Sequence, residues 1–285
     1  MKRKGSGFKM IMDLHTHTHH SPDASDQTVA ARAAAAEQLG LQFMAVTDHV
    51  EINRYYPAAY YGAEESEMYS YNGKGIFEAS AAETVEAAKN FAKVKILCGS
   101  EIGQIPQDPE KAALIYADPR TDLVLGSVHE LPGKADFYFL DYSKEDIPAL
   151  VDAYFAEVLR TAQSDCYDVL AHLTYGLRYL PNRSAYDITP HFPLIDEIFR
   201  TLTAKQKALE LNGSGLKYDV PFTDPGMDLL RRYHDMGGRL LTLSTDAHDT
   251  KYLGYKMNVL EDMARAAGFT ELTWFEKHVP KQITL

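Results

Sequence analysis

Short apolar runs alternate with longer amphipathic segments along the chain of 285 residues. Runs with the length and apolar content of buried strands are residues 10–14, 43–47, 94–99, 123–127, 167–171, 208–211 and 239–244. Segments with helical spacing of apolar positions are residues 28–39, 77–92, 147–164, 194–203, 224–236 and 260–267. Strands that alternate with helices predict a parallel sheet with helices packed against it.

Glycines mark the ends of two predicted helices. Gly40 follows one helix, and Gly237 with Gly238 follows another, at the position where a left-handed residue often ends a helix. No Pro/Gly/Ser-rich linker divides the chain. We therefore predict a single barrel domain over residues 1–285, with residues 1–10 as a flexible N-terminal extension. The tyrosine-rich stretch 55–71 is interpreted as a long loop, either a lid or a disordered segment.

The charge and the cysteine content of the chain limit the kinds of ligand and partner that it is expected to bind. A net charge of -11 and a pI near 5.4 disfavour a surface for nucleic-acid phosphates, so we expect a small substrate and no nucleic acid. The two cysteines, Cys98 and Cys166, are far apart in sequence and form no Cys-x-x-Cys pattern, so neither a disulfide framework nor a thiolate zinc site is indicated, and a reducing cytoplasm fits. No run approaches the roughly 20 apolar residues of a membrane span. The oligomeric state is not readable from the sequence.

The first predicted strand leads into a His-x-His pair. Alternation along a strand places His15 and His17 on the same side, where two imidazoles can bind one ion. Such a pair also occurs by chance in ordinary proteins. Its significance depends on whether other candidate ligands come close to it.

Candidate ligands also follow most of the later strands. They are Asp48 and His49 after the second strand, Glu101 after the third, His129 after the fourth, His172 after the fifth, and Asp246 and His248 after the last. The carboxyl ends of parallel barrel strands meet at one face, so these side chains are expected to converge. Imidazole and carboxylate without thiolate suit Zn, Mn or Fe, and the number of donors predicts two or three divalent ions.

Several short motifs in a fixed order resemble those of the polymerase and histidinol phosphatase (PHP) family. They are Asp13-Leu14-His15-Thr16-His17 with Ser21-Pro22-Asp23, Thr47-Asp48-His49, Gly99-Ser100-Glu101-Ile102-Gly103, Gly126-Ser127-Val128-His129, the His172 segment, Glu210-Leu211-Asn212-Gly213-Ser214-Gly215-Leu216, and Thr245-Asp246-Ala247-His248. The resemblance covers about residues 11–255 and is strongest to the stand-alone histidinol-phosphatase branch. It implies a distorted TIM-like (β/α)7 barrel and a role in histidine biosynthesis.

The resemblance also implies a ligand set. One ion would be held by His15, His17, Glu101 and Asp246; a second by Glu101, His129 and His172, with Glu101 bridging; a third by Asp23, His49 and His248. Many family members have histidine where this chain has Asp23. A carboxylate is a harder ligand than imidazole, and it shifts the preference of the third site toward Mn or Fe.

The implied reaction is hydrolysis of a phosphomonoester, most specifically L-histidinol phosphate to L-histidinol and phosphate, by a metal-bridging hydroxide. Glu101 would act at the bridging position, and Asp23, His248 or a water would protonate the leaving group. Arg178 is the candidate phosphate ligand, with a solvated surface arginine as the alternative, and Arg54 and Arg183 are weaker candidates. Two rival functions remain: a PHP-type phosphodiesterase or nuclease, and a non-catalytic metal-bound interaction module.

Neighbouring polar residues have simpler interpretations. His19 and His20 are interpreted as loop residues outside the metal cluster. Asp13 and Asp48 are expected either to accept a proton from a ligand imidazole or to be strand-end carboxylates in water. Asn212 either orders the site or serves only the Asn-Gly-Ser-Gly turn.

Overall fold

A computed structural model describes residues 11–55, 74–218 and 222–285. Its parallel strands are β1 Met12–Asp13, β2 Phe43–Val46, β3 His49–Glu51, β4 Lys95–Gly103, β5 Leu123–Ser127, β6 Val169–Leu170, β7 Ala208–Asn212 and β8 Leu241–Ser244. The sheet order is β1-β2-β4-β5-β6-β7-β8, and β3 pairs with the second half of β4. All seven predicted strands are therefore present.

The first and last strands of this order are joined by main-chain hydrogen bonds. Leu14 N donates to Leu243 O at 3.1 Å, and His17 N donates to Ala247 O at 3.0 Å. These bonds bring the two edges together and give a nearly closed barrel. The predicted TIM-like (β/α)7 class is confirmed.

Helices surround the barrel over most of the predicted segments. They are α1 Val29–Leu39, α2 Lys74–Ala88, α3 Pro109–Tyr116, α4 Ile147–Gln163, α5 Phe192–Lys205, α6 Met227–Asp235 and α7 Met257–Ala266. Helix α3 was not predicted, because a segment of 8 residues shows little periodicity. A local signal was present: Asp108 caps Lys111 N at 3.2 Å, and Pro109 takes the first helical position.

The predicted helix ends can be checked at particular residues. Thr28 caps α1 by accepting from Ala31 N at 3.2 Å, and Gly40 ends it with a φ of 78°. Gly237, with a φ of 95°, follows α6 as expected. The predicted start of that helix at Asp224 is wrong, because the backbone of Asp224 pairs with Asn212.

The strands form the centre of the core. Every residue of β5 and β7 is buried, as expected for parallel strands that are covered on both faces. Leu209 is fully buried in this core. Its substitution by alanine is expected to lower the free energy of unfolding by about 2–5 kcal/mol.

An antiparallel hairpin of β9 Glu271–Glu276 and β10 Val279–Thr284 follows the barrel. The sequence pattern had given no element here. Thr273 accepts a hydrogen bond from Leu241 N at 3.2 Å, and Leu272 and Phe275 are buried in the same core as the strands. The hairpin therefore belongs to the barrel, and the fold is a single domain.

Two predictions fall outside the described residues. These are the N-terminal extension, residues 1–10, and the tyrosine-rich stretch 55–71 apart from Tyr55. The boundaries of the predicted domain, 1–285, stay a prediction for the same reason. Among the described residues, no helix combines the length and the apolar character that a bilayer crossing requires.

Candidate metal centre

The carboxyl ends of the strands open into a cavity of about 590 Å³. All predicted ligands lie at this end of the barrel: His15 and His17 beneath the cavity, and Asp23, His49, Glu101, His129, His172, Asp246 and His248 along its wall. Residues far apart in sequence are thus brought within a few ångströms. Their side chains fall into three groups.

The first group lies below the cavity. The Nε2 atom of His15 is 3.2 Å from Glu101 Oε2 and 3.6 Å from Asp246 Oδ1. The Nε2 atom of His17 is 3.3 Å from Asp246 Oδ1 and 3.6 Å from Glu101 Oε2. Between the two histidines, Thr16 donates instead to Ala45 O at 2.6 Å, which agrees with the predicted alternation.

The second group uses the other oxygen of Glu101. Oε1 lies 2.8 Å from His172 Nε2 and 3.1 Å from His129 Nε2, and these two nitrogens are 3.3 Å apart. The two oxygens of a single carboxylate therefore face two groups of imidazoles. A carboxylate in this position is suited to bridge two cations.

The third group lies at the mouth. Asp23 Oδ2 is 3.1 Å from His248 Nε2 and 3.6 Å from His49 Nε2, and the two histidine nitrogens are 3.4 Å apart. The Asp23 side chain is 47% exposed, whereas that of Glu101 is fully buried. His49 also reaches inward, with its Nδ1 atom 2.9 Å from Glu101 Oε2, so it joins the third group to the other two.

The donor atoms of the first group suit a cation. His15 Nε2, His17 Nε2 and Glu101 Oε2 are buried and make no hydrogen bond to the described residues. Buried polar atoms without a partner are costly, and convergence of several on one point is typical of a ligand or ion site. The groups around Glu101 can therefore hold metal ions.

Glu101 lies within β4, whereas His49 follows β2 as predicted and begins the short strand β3. β4 runs on from Lys95 to Gly103, beyond its predicted end at residue 99, because β3 pairs alongside with His49 opposite Glu101. The expectation that Glu101 comes after the third strand is wrong in this detail. The extra length of strand carries its carboxylate into the middle of the cluster.

A family model described as the PHP domain matches residues 13–214. The chain belongs to the PHP family. A probable histidinol-phosphatase of Clostridium acetobutylicum is 26% identical over 279 residues, which cover 95% of this chain and 99% of that protein. A histidinol-phosphatase of Lactococcus lactis subsp. lactis is 27% identical over 273 residues, covering 93% and 94% of the two chains.

A solved structure shares the arrangement of this PHP barrel. It is described as histidinol phosphate phosphatase from Lactococcus lactis subsp. lactis in complex with zinc, L-histidinol and phosphate. The match has a TM-score of 0.74 at 25% identity and covers 95% of this chain and 98% of that one.

Two glutamates that support the PHP centre were given no role in the sequence analysis: Glu210, which lies in one of the quoted motifs, and Glu51. Glu210 Oε1 is 2.8 Å from Nδ1 of His15, and its Oε2 accepts from His172 N at 2.6 Å. Glu51 Oε1 is 2.8 Å from Nδ1 of His129. A partner on the far nitrogen fixes the ring orientation and raises the basicity of the near one. The available signal was a glutamate within a strand-like apolar run.

Asp13 and Asp48 were expected either to accept a proton from a ligand imidazole or to be strand-end carboxylates in water, and the structure contradicts both interpretations. Both are buried; Asp13 accepts hydrogen bonds from loop residues, and Asp48 accepts them from a loop and from α2. Asp13 accepts from Thr245 N at 2.9 Å and Gly254 N at 2.9 Å. Asp48 accepts from backbone and hydroxyl donors of Thr18, Ser21 and Ser80. Because Ser21 Oγ is 3.2 Å from His17 Nδ1, Asp48 acts on that ring through the serine.

Asn212 both orders the site and stabilises the Asn-Gly-Ser-Gly turn. Its side-chain nitrogen donates to Glu210 Oε2 at 3.2 Å and to Asp246 Oδ2 at 3.4 Å, while its oxygen accepts from Ser214 N at 2.9 Å. The amide therefore closes the turn and orients two carboxylates.

The charges in the centre are strongly coupled. Burial acts to raise the pKa of Glu101, but His15, His129 and His49 hold that pKa well below its ordinary value. Burial acts to lower the pKa of His15, but Glu101, Asp246 and Glu210 raise it well above the usual range. The carboxylates thus favour positive charge among the imidazoles. A divalent ion supplies such charge, and its binding would displace protons.

Arg178 lines the cavity and is buried, so the alternative of a solvated surface arginine is wrong. Its Nη1 is 3.9 Å from Asp246 Oδ2 and its Nη2 is 3.7 Å from Asp224 Oδ2. Its guanidinium lies 4.9 Å from the centroid of the Tyr175 ring. Its Nε and Nη2 atoms make no hydrogen bond within the described part of the chain.

The other basic candidates lie elsewhere. Arg54 is exposed and outside the cavity wall. Arg183 sits behind Arg178, donating to its carbonyl oxygen at 3.2 Å. Lys217, which was not among the predicted phosphate ligands, is a basic residue of the wall.

Another part of the cavity wall is acidic and aromatic. Glu130 and Asp136 line it beside Tyr138, Tyr175 and Tyr179. Burial, with Glu51 and Asp136 nearby, raises the pKa of Glu130 to about 9. Asp136 accepts from the Tyr175 hydroxyl at 2.9 Å. This part of the wall offers carboxyl groups to a ligand that carries a cationic group.

Proposed function

We propose that this PHP-family protein is a metal-dependent phosphomonoesterase that converts L-histidinol phosphate and water to L-histidinol and phosphate. The observation that carries the proposal is its match, over nearly the whole of both chains, to the Lactococcus lactis enzyme described with zinc, L-histidinol and phosphate. The curated relatives named as histidinol-phosphatases support the same substrate.

The proposed metal ligands are those of the three groups. One ion takes His15, His17, Glu101 and Asp246; a second takes Glu101, His129 and His172; a third takes Asp23, His49 and His248. Two or three ions of Zn, Mn or Fe fit these imidazole and carboxylate donors. The third group has a carboxylate and the most exposed donors, so we expect it to bind its ion less tightly.

Divalent ions, when bound, would supply Lewis acidity that activates water and neutralises charge on the phosphoryl group. The side chains of the protein would hold the metal-binding groups in fixed orientations. Glu101 holds the first two groups at a fixed spacing through its two oxygens. Glu210 and Glu51 fix the rings of His15 and His129 from behind.

Arg178 is proposed to bind the non-bridging phosphate oxygens. Its planar fork matches phosphate geometry, and it lies close to Asp246 at the edge of the first group. Burial strengthens its interaction with an anion, because little water competes for its donors.

The leaving alkoxide requires a proton. Asp23 and His248 lie at the mouth, 3.1 Å apart, and both are partly exposed to solvent. Either can therefore be reprotonated between turnovers. We propose that Asp23 or His248 donates this proton to the leaving alkoxide while the third group holds no ion, and that a water bound there donates it when the ion is present.

We propose that the carboxyls of Glu130 and Asp136 bind the ammonium group of histidinol. They line the same cavity as Arg178, so one substrate can present its phosphate to the arginine and its cationic end to the acids. Tyr138, Tyr175 and Tyr179 offer faces for the imidazole ring. Substrates without a cationic group would lack this anchor.

The substrate assignment is tested by phosphate release from L-histidinol phosphate, adenosine monophosphate and the 3′ phosphate of a DNA oligonucleotide. We expect the highest kcat/KM with L-histidinol phosphate. Faster turnover of either nucleic-acid substrate would overturn the assignment of L-histidinol phosphate as the substrate. Failure to hydrolyse any phosphoester, with metal bound, would support a non-catalytic module.

A further inference from the structure

A second cluster of potential ligands lies between the loop that follows His17 and helix α2. The side chains of His19 and His20 meet Glu83 of α2: Glu83 Oε2 is 2.8 Å from His20 Nε2 and 3.5 Å from His19 Nε2. The two imidazole rings are 4.1 Å apart between centroids. None of the three residues lines the cavity of the PHP centre.

The loop is held in place independently of these side chains. Thr18 and Ser21 donate to Asp48, and His19 N donates to Gln27 O at 3.0 Å. The backbone that presents the two imidazoles is thus fixed on both sides. Little conformational entropy would remain to be lost on binding an ion.

Glu83 is also fixed, but by only one of its oxygens. Oε1 accepts from Val29 N at 2.9 Å, at the start of α1, and this leaves Oε2 directed at the histidines. The carboxylate can therefore bind a cation through Oε2 without giving up its contact with α1.

The spacing of the donors fits a divalent cation. The ligand atoms of the three residues all lie within 4.8 Å of one another. Tetrahedral zinc, with bonds of about 2.0–2.1 Å, sets its ligand atoms roughly 3.3 Å apart. The distance between His19 and Glu83 is already close to this value, and that between His20 and Glu83 needs to open by about half an ångström. The side chains are 34%, 16% and 28% exposed, so water can complete the coordination.

We propose that His19, His20 and Glu83 form a peripheral site for zinc or a similar divalent transition metal, separate from the catalytic centre. Two imidazoles and one carboxylate, with an open position, form a donor set that suits such an ion. Bound metal would clamp the loop that carries His17 and Asp23 onto α2. The ordinary alternative is a partly exposed histidine–glutamate contact that binds no ion.

The test counts zinc on the full chain. Metal-free wild type, a His19→Ala/His20→Ala variant and a His234→Ala control are dialysed against micromolar free zinc, and bound zinc per chain is measured. His234 is matched in kind, because it is a partly exposed histidine with a carboxylate 3.7 Å away. We expect the double variant to bind one zinc fewer than the other two proteins. Equal zinc contents, or filling of the additional site only at millimolar zinc, would overturn the proposal.

Zinc-soaked crystals of the wild type provide a second measurement that does not depend on any variant. An anomalous peak is expected beside Glu83, about 2.0–2.1 Å from the Nε2 atoms of His19 and His20. This map also separates loss at this cluster from loss at the third group of the centre. The site does not exist if the map has no peak there.

Discussion

Nδ1 of His15 and Oε1 of Glu210 are joined by a buried contact of 2.8 Å across 195 positions of sequence. This contact turns the opposite nitrogen of the imidazole toward the metal groups. Glu210→Gln keeps the shape of the side chain but removes its charge. We expect metal affinity to fall by about 10–100-fold, as for other partners of metal-bound histidines. Zinc titration of the metal-free protein measures this change.

The control for this substitution is Glu157→Gln. Glu157 is also a buried glutamate, but it lies on α4, where it pairs with Arg160. Its substitution is expected to leave zinc affinity unchanged. If both variants bound zinc with wild-type affinity, Glu210 would have no influence on the centre.

Glu101→Gln tests the bridging position. The amide nitrogen cannot act as a ligand in place of a carboxylate oxygen, so the two groups that share Glu101 would lose a common donor. We expect turnover to fall by about a hundredfold or more, together with loss of bound metal. Parallel measurement of kcat and metal content checks this, and wild-type values of both would rule out a bridge.

Arg178→Ala is predicted to act mainly on KM. A hydrogen bond to a charged group contributes about 1.5–3 kcal/mol, which corresponds to roughly 10–100-fold in KM for the phosphorylated substrate. Arg178→Lys should recover part of the loss, because it restores charge without the fork. Arg183→Ala, which removes the arginine behind it, serves as the control. Unchanged KM in Arg178→Ala would refute the phosphate-binding role.

Glu130→Gln separates recognition of the ammonium group from chemistry. We expect kcat/KM for L-histidinol phosphate to drop about tenfold or more, because a bound ammonium group would favour the ionised form of Glu130 against its raised pKa, and glutamine cannot supply that charge. Hydrolysis of 4-nitrophenyl phosphate, which has no cationic group, should change little. An equal loss with both substrates would mean that Glu130 supports the fold or the metal groups instead.

The barrel could be predicted because its strands are continuous apolar runs and its helices are periodic. Local signals failed where tertiary pairing decides the structure. The extension of β4 through Glu101 depends on β3 lying beside it. The start of α6 was placed too early, because Asp224 pairs with Asn212 across the fold. The local pattern of hydrophobic and polar residues contains no signal for these contacts.

Most candidate ligands could be predicted because they lie near strand ends that face the cavity, whereas Asp23, ten residues beyond β1, was indicated only by the resemblance to the PHP family. The residues that orient these ligands could not be predicted. Nothing near Glu210 or Glu51 in sequence shows that a histidine ring will meet its carboxylate. Asp48 was expected either to contact an imidazole directly or to lie in water, yet it contacts the His17 ring only through Ser21. Such relations depend on side-chain distances that only the folded chain defines.

The central claim is that the three groups around Glu101 hold metal ions on which hydrolysis depends. It is tested most directly by removing metal with a chelator, adding back Zn or Mn in steps, and following phosphate release from L-histidinol phosphate against bound metal. We predict that release is abolished in the metal-free protein and returns as two or three ions bind per chain. Full activity in the metal-free protein would contradict the claim.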